Sequence, residues 1–277
     1  MAVWVSHVGD ALPRMTEPSA FFEQDGARFI PSVLTRGPWG PEHQHGGPPS
    51  ALMARAIEDE AESFQLARFT IDFVQPVPIA PLTVRVEQVR AGRRARNYVV
   101  ELSRDDHLVV ARATALVLRP APAASDVAIP RERLEPPPEQ SEPFVFPFFR
   151  ASVGYHTAIE SRVARGRVGS GRAALWMCQR VPLLVGEVPS PAQRILLMAD
   201  SGSGVGAVLD PVSFAPFINA DLSIALHRLP EGEWMGLEAT TTIEPHGIGL
   251  TRTRLHDLHG PIGEGLQSLV AGRMPAA

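Results

Sequence analysis

Asp200, Asn219 and Gln267 are the residues of this 277-residue chain whose types suit them to activate a water molecule. Asp200 follows the apolar run Ile195-Leu196-Leu197-Met198-Ala199, inside the helix that run predicts. A carboxylate there is costly unless it is hydrogen-bonded or faces a wet pocket. Two readings stand. Asp200 is a structural acid, on a solvated helix face or bonded to the turn Ser201-Gly202-Ser203-Gly204, or it is a reactive acid in a site. Asn219 comes early in the strand text after that helix. Gln267 lies among Leu266, Leu269 and Val270, where an amide asks for a partner and, taken alone, is expected to face outward. Together the three have a chemistry: two amides that bond a carboxylate and a water hold that water for attack.

Other polar groups offer less. His43 and His45 alternate in a loop and His256 and His259 flank a turn, but neither pair has a third ligand at metal spacing, so no metal is expected. Arg93, Arg94 and Arg96 crowd a hairpin beside Gly92, either solvated or placed to meet phosphates. Tyr155-His156 reads as a strand start, Trp39 and Trp234 as packing anchors, and Cys178 as a buried strand residue. Asp221, one alternation from Asn219, shares its sheet face and is expected to support a site there.

These side chains need a frame, and the chain writes that frame twice. Residues 46–119 give a long apolar helix and then four strand-like runs, and residues 190–273 repeat the order after a proline-rich bridge. Gly92 and Gly247 stand 155 residues apart at matching turns, and Arg119 and Arg273 stand 154 apart at the ends of matching strands. The first helix is predicted over Ser50 to Phe64, opened by Gly46-Gly47-Pro48-Pro49, since proline's missing N–H is not needed in a first turn. Its first half is apolar, and Glu58, Asp59, Glu60 and Glu62 are expected to leave its far end in water. Ser190-Pro191 opens the second helix, through Ile195–Ala199 and onward.

The strands of the first copy are expected at Phe69–Phe73, Leu82–Val89, Tyr98–Ser103 and Leu108–Leu118. Those of the second are expected at Ala173–Leu184, Phe217–Leu226, Glu233–Ile243, Ile248–His256 and Ile262–Ala271. The division is an N-terminal unit at 20–119, an extended proline-rich linker at 120–143 and a C-terminal unit at 144–274, with residues 1–19 an arm. The fold class is α+β: a double hot-dog, two tandem units each with a long helix wrapped by a curled antiparallel sheet, able to continue each other's sheet edge to edge.

The net charge of −4 gives no reason to expect nucleic acid or an anionic membrane as partner. All 26 basic residues are arginine, a compositional bias rather than a functional sign. One cysteine excludes a disulfide framework. No signal-like start and no apolar run long enough to span a membrane is seen, so a soluble, cytoplasmic protein is expected.

Ala199-Asp200-Ser201-Gly202, Asn219-Ala220-Asp221-Leu222, Leu226 to Trp234, Leu255-His256-Asp257 and Gly265 to Leu269 resemble the C-terminal half of TesB-like acyl-CoA thioesterases, in particular an actinobacterial-type branch. The Gly46-Gly47-Pro48-Pro49 opening resembles the same family's first half, and the likeness covers most of 20–119 and 145–274. It implies hydrolysis of acyl-CoA to free acid and CoA in lipid metabolism, without a cofactor and with acyl-CoA as the partner. Double hot-dogs of this kind often pair further, which implies a homodimer. In that family an Asp, a Thr and a Gln orient the hydrolytic water. Asp200 and Gln267 match the Asp and the Gln, and Asn219 stands in place of the Thr, an amide for a hydroxyl. Asp200 would be the general base, kept ionised by amide donors. Gly46 and Gly47, at a helix N-terminus, would offer N–H groups to the oxyanion, or else serve only to turn tightly. The alternatives are a non-catalytic acyl-CoA binder and a hydratase or dehydratase. The latter wants a histidine a few residues after the Asp, and Ser201 to Gly206 contain none.

Overall fold

The computed structural model describes residues 18–122, 131–208 and 215–272. β1 (Phe22–Asp25) and β2 (Arg28–Pro31) form a short hairpin, followed by a 3-10 turn at Val33–Thr35. α1 (Gly47–Glu60) starts with Gly46 as its N-cap and Pro48 in its first turn. It begins three residues earlier than the sequence reading and ends four earlier. The early start follows from proline being tolerated through the first turn. The early stop occurs at Ala61, which leaves helical geometry at φ −106° and ψ 35°, and Ser63 then adopts a positive φ of 63°. No glycine or proline marks that end.

β3 (Gln65–Phe73), β4 (Leu82–Ala91), β5 (Ala95–Arg104) and β6 (Val109–Leu118) follow, with Phe69 and Ile71 turned inward as their alternation requires. Of the 120–143 bridge, residues 123–130 lie outside the described residues, as do 1–17 of the arm and Arg273. The rest of the bridge is not free. Leu134 packs with Ala174 and Trp176, and the Trp176 Nε1–H donates to the Pro136 carbonyl at 2.8 Å. β7 (Glu142–Phe144) then joins the sheet beside β8 (Ile159–Arg167), two strands the sequence reading lacked. Their text hides them: β7 is three residues with a central proline, and β8 is buried only at its start.

α2 (Tyr155–Ala158) precedes β8, and β9 (Arg172–Gln179) pairs with it. α3 (Pro191–Ala199) is capped by Ser190, whose Oγ accepts the Gln193 N–H at 3.1 Å. Asp200 and Ser201 keep right-handed dihedrals, but Ser201 N–H reaches back only three residues, to Met198. A second short turn, α4 (Gly202–Val205), follows. Asp200 therefore lies at a break between two helical runs, not in mid-helix as expected. β10 (Ala215–Asn219), β11 (Asp221–Leu226), β12 (Trp234–Ile243), β13 (Ile248–Asp257) and β14 (Gly260–Gly272) complete the chain.

All named strand pairs are antiparallel, in the order β1-β2-β4-β5-β6-β3-β11-β14-β13-β12-β9-β8-β7, with β10 also on β14. The two copies meet edge to edge where Asp221–Ala225 of β11 pairs with Arg68–Asp72 of β3. α1 and α3 pack against each other inside this curl and share one apolar core with it, including Leu52, Met53, Ile57, Ile195, Leu196 and Leu255. They run antiparallel: the start of α1 touches the end of α3 at Leu197, and the end of α1 touches the start of α3. At that second end Glu58 accepts from Ser190 Oγ at 2.7 Å and from Gln193 Nε2 at 3.0 Å. Glu58 is half-buried and so is not part of the wet end expected for it. Among the described residues no helix is long and apolar enough to cross a membrane.

Candidate active site

Asp200 is 5 % exposed, at the join of α3 and α4. Its Oδ1 accepts from Asn219 Nδ2 at 2.8 Å and stands 3.4 Å from Gln267 Nε2. That Nε2 also donates to the Asp200 carbonyl at 3.0 Å, while Gln267 Oε1 accepts the Ser203 N–H at 2.8 Å. Both ends of the Gln267 amide are therefore engaged with protein, which fixes its orientation and ties Asp200 to the first turn of α4. Gln267 is 1 % exposed and faces inward with Leu269, against the outward placement expected of it alone. The sheet makes the encounter: Asn219, the last residue of β10, pairs with Leu269 of β14, two residues from Gln267. Asp221 supports it through backbone and side chain. Its carbonyl accepts from Asn219 Nδ2 at 3.2 Å, and its Oδ1 accepts the Ser268 N–H at 2.6 Å.

The other carboxylate oxygen faces the start of α1. A Cβ on Gly46 would fall 2.8 Å from Asp200 Oδ2 and 2.5 Å from Phe73 Cζ, and one on Gly47 would fall 2.0 Å from the Leu197 carbonyl oxygen. Gly46 has φ −67°, an ordinary helical value. This glycine meets a demand for space, not for a tight turn: the Asp200 carboxylate fills the place of its side chain, and at Gly47 the backbone of α3 does so. The N-terminal end of α1 thus lies beside the Asp200 carboxylate.

His45 and Tyr155 complete the surroundings. His45 Nδ1 accepts the Gly47 N–H at 3.1 Å and lies 3.3 Å from Asp200 Oδ2. An ion pair there needs a proton on Nδ1, but burial pushes the His45 pKa below its ordinary value more strongly than Asp200 pulls it up. The Gly47 bond agrees with the neutral ring, protonated at Nε2. The ring stacks on Tyr155 at 3.9 Å between centroids with an 8° tilt. Tyr155 OH in turn donates to the Leu197 carbonyl at 3.1 Å and meets Ser201 Oγ at 3.0 Å. Burial pushes that phenol's pKa upward, so it serves as a neutral donor. The sequence reading took Tyr155 as a strand start and weighed His45 only as a metal ligand. The one available signal was the position of His45 directly before the glycine pair.

Two cavities meet at Asp200, Asn219 and Trp39. One is narrow and aromatic, walled by Phe146, Phe148, Phe149 and Phe217 opposite Ser203 and Gly204. The other is a wider groove along Phe73, Val74, Gln75, Pro76, Val77 and Ile218. Trp39 sets its ring edge against Phe217 at 6.2 Å and lines both cavities, so it is more than a packing anchor. Arg93, Arg94, Arg96 and Arg119 line a surface depression at the opposite end of α1, with Arg96 and Arg119 held over the Phe64 ring at 4.2 and 4.7 Å. Among the described residues, no three His, Cys, Asp or Glu side chains are grouped as a metal ion would require.

Two family models match the chain: "Acyl-CoA thioesterase N-terminal domain" over residues 35–118 and "Acyl-CoA thioesterase C-terminal domain" over residues 131–271. No curated relative matches. Among solved structures, a protein of Novosphingobium aromaticivorans is 22 % identical, with a TM-score of 0.69 over 94 % of this chain and 99 % of that one. A protein of unknown function with a hot-dog fold from Alicyclobacillus acidocaldarius is 20 % identical, with a TM-score of 0.67 over 92 % and 96 %. A TesB protein of Mycobacterium avium subsp. paratuberculosis is 19 % identical, with a TM-score of 0.65 over 90 % and 95 %. At such identities the likeness speaks for the fold, and the fold is the hot-dog expected from the sequence.

Proposed function

This chain belongs to the acyl-CoA thioesterase family, and from that premise we propose that Asp200 is the general base of thioester hydrolysis, with Asn219 and Gln267 as its partners. The observation that carries the reading is a buried carboxylate that lines two cavities while amides hold one of its oxygens. Oδ2 takes a proton from a water, and the resulting hydroxide attacks the thioester carbonyl of an acyl-CoA lying against Asp200. Asn219, whose Nδ2 is spent on Asp200 and Asp221, has its Oδ1 to orient that water. Gln267 is the positioning residue, since its amide is bonded to Asp200 and Ser203.

The tetrahedral oxyanion needs donors aimed at where charge develops, and the start of α1 supplies them. Gly47 N–H already points at His45 Nδ1, which makes Gly46 N–H the better donor of the glycine pair. Collapse of the intermediate breaks the C–S bond. CoA leaves as a thiolate, or as the thiol after taking the proton from Asp200, and the free acid remains. The reading includes a homodimer, with β7, at one end of the strand order, as the edge a second copy would continue, since β1 at the other end is already bonded at Phe22 to Leu183 and Val185.

The test is thiol release from a panel of acyl-CoAs by wild type and Asp200→Asn. The variant is expected to lose about 10²–10⁴-fold in kcat. Equal rates would remove Asp200 from the chemistry, and binding without release by the wild type would make the protein an acyl-CoA binder.

A further inference from the structure

The two cavities at Asp200 differ in depth and in what closes them. The groove is bordered by exposed side chains, Val74 at 50 % and Ile218 at 48 %, and so opens to the surface. The aromatic cavity is much narrower and is lined by the buried Phe146, Phe217 and Ser203. Its wall is a strap of phenylalanines that follows the bridge between the two copies: Phe144 meets Phe146 edge to face at 5.0 Å, Phe146 is tilted against Phe148 at 5.3 Å, and Phe148 stacks on Phe149 at 5.5 Å. Phe149 continues the row onto His156 at 4.6 Å. On the α4 side the cavity is lined by the small residues Ser201, Ser203 and Gly204. A Cβ on Gly204 would come within 3.1 Å of Phe148 Cζ and 3.5 Å of Phe146 Cε1, so the tip of Phe148 already rests on α4. The space left between strap and helix is about that of one or two water molecules.

An acyl-CoA entering by the groove presents its acyl end first. With the thioester carbonyl at Asp200, an acyl chain that continues past it must fit the narrow aromatic cavity. We propose that this protein takes short acyl groups, with about two to four carbons in the acyl chain to match the room of one or two waters, and that Phe148 sets the limit. This rests on the hydrolytic reading for the position of the thioester. Longer chains must displace the Phe148 ring, which is held between Phe146, Phe149 and Gly204 in a packed wall. The wall is also chemically selective. It is apolar along the strap, so a short hydrocarbon is favoured over a carboxylated acyl group of the same length.

The experiment measures kcat/KM for acetyl-, butanoyl-, octanoyl- and dodecanoyl-CoA with wild type, Phe148→Ala and the milder Phe148→Leu. Equilibrium binding of the same panel to Asp200→Asn reads the pocket without the chemistry. The expected wild-type profile falls at least about tenfold between butanoyl and octanoyl, in line with the 10–200-fold that one methylene is worth in a shaped pocket. Phe148→Ala is expected to raise the octanoyl-to-butanoyl ratio by about tenfold or more, and Phe148→Leu by less. A wild-type profile that is flat or rises to dodecanoyl overturns the proposal, as does a ratio unchanged in both variants. Loss of turnover for every substrate, with a length-dependent binding profile on Asp200→Asn, would sink the hydrolytic reading and leave the pocket standing.

Discussion

At one end of the α1–α3 pair, Glu58 accepts hydrogen bonds from Ser190 and Gln193, next to an Arg55 that is itself clamped by Glu187 at 2.7 Å through two nitrogens. At the other end, Asp200 also takes amide bonds, but one of its oxygens faces a helix N-terminus and its carboxylate borders two cavities. Both acids are withdrawn from water between the same two helices, and both touch the partner helix. The difference is in what surrounds them. Glu58 closes a helix cap, and every bond it accepts there is structural. Asp200 is held firmly on one side and left accessible to a small molecule on the other. A buried carboxylate alone therefore says little about function, and a buried carboxylate with a fixed orientation and a cavity says much more.

Four comparisons test that contrast. The largest expected effect is on turnover: Glu58→Gln leaves thiol release within about twofold of wild type, whereas Asp200→Asn loses about 10²–10⁴-fold. Thermal unfolding of Asp200→Asn should change little, because the replacement amide can turn its oxygen to Asn219 and keep that hydrogen bond. Next comes Gly47→Ala, where a methyl must enter 2.0 Å from the Leu197 carbonyl oxygen and push the helices apart. Its cost is expected at about 2–4 kcal/mol in chemical denaturation.

Gln267→Leu is expected to cost about 1–3 kcal/mol, since it strands the Ser203 N–H and the Asp200 carbonyl, and to lower turnover as well. Its counterpart Gln193→Leu should cost less and leave turnover intact, because the Ser190 hydroxyl still donates to Glu58.

The smallest effect is one of sign. Burial lowers the His45 pKa from 6.5, so below about pH 6.5 the unfolded chain takes up a proton that the folded one resists, and stability falls on acidification. Burial raises the Glu58 pKa above 4.5, so the folded chain gains its proton first, and stability is favoured as pH falls through that raised value. His156 and His256 are also lowered by burial and share the sign of His45, so variants are needed to isolate each end. Between pH 7 and 5, His45→Asn should flatten the decline in Tm, and Glu58→Gln should steepen it, each by about a few degrees at most. Slopes that change in the same direction would erase the contrast.

Much of this frame was legible in the sequence, for reasons that can be named. The repeated helix-then-strands order is a hydrophobic pattern, and pattern is what the curled sheet requires: Phe69, Ile71 and the inward half of α1 lie where alternation put them. Asp200, Asn219 and Gln267 were suggested by residue type and by family resemblance, and β10 and β14 bring their side chains within hydrogen-bonding distance. What the sequence hid depends on long-range contact. Glu58 looked solvated because its partners, Ser190 and Gln193, are more than 130 residues away. His45 stacks on a tyrosine 110 positions later in the chain, and no local spacing announces that encounter. The phenylalanine strap, at the start of the 144–274 unit, was given no role because proline breaks its periodicity, although its rings wall the cavity.

The central claim is that Asp200 activates water and does not itself attack the thioester. A single turnover with enzyme in excess over acyl-CoA, run in ¹⁸O-labelled water and rapidly quenched for mass spectrometry of any acyl adduct on the protein, separates the two. The account predicts one ¹⁸O in the released carboxylic acid, none in the peptide containing Asp200 and no acyl adduct. An acyl adduct on Asp200, or unlabelled acid together with ¹⁸O in Asp200, would mean a covalent acyl-enzyme anhydride and would contradict it.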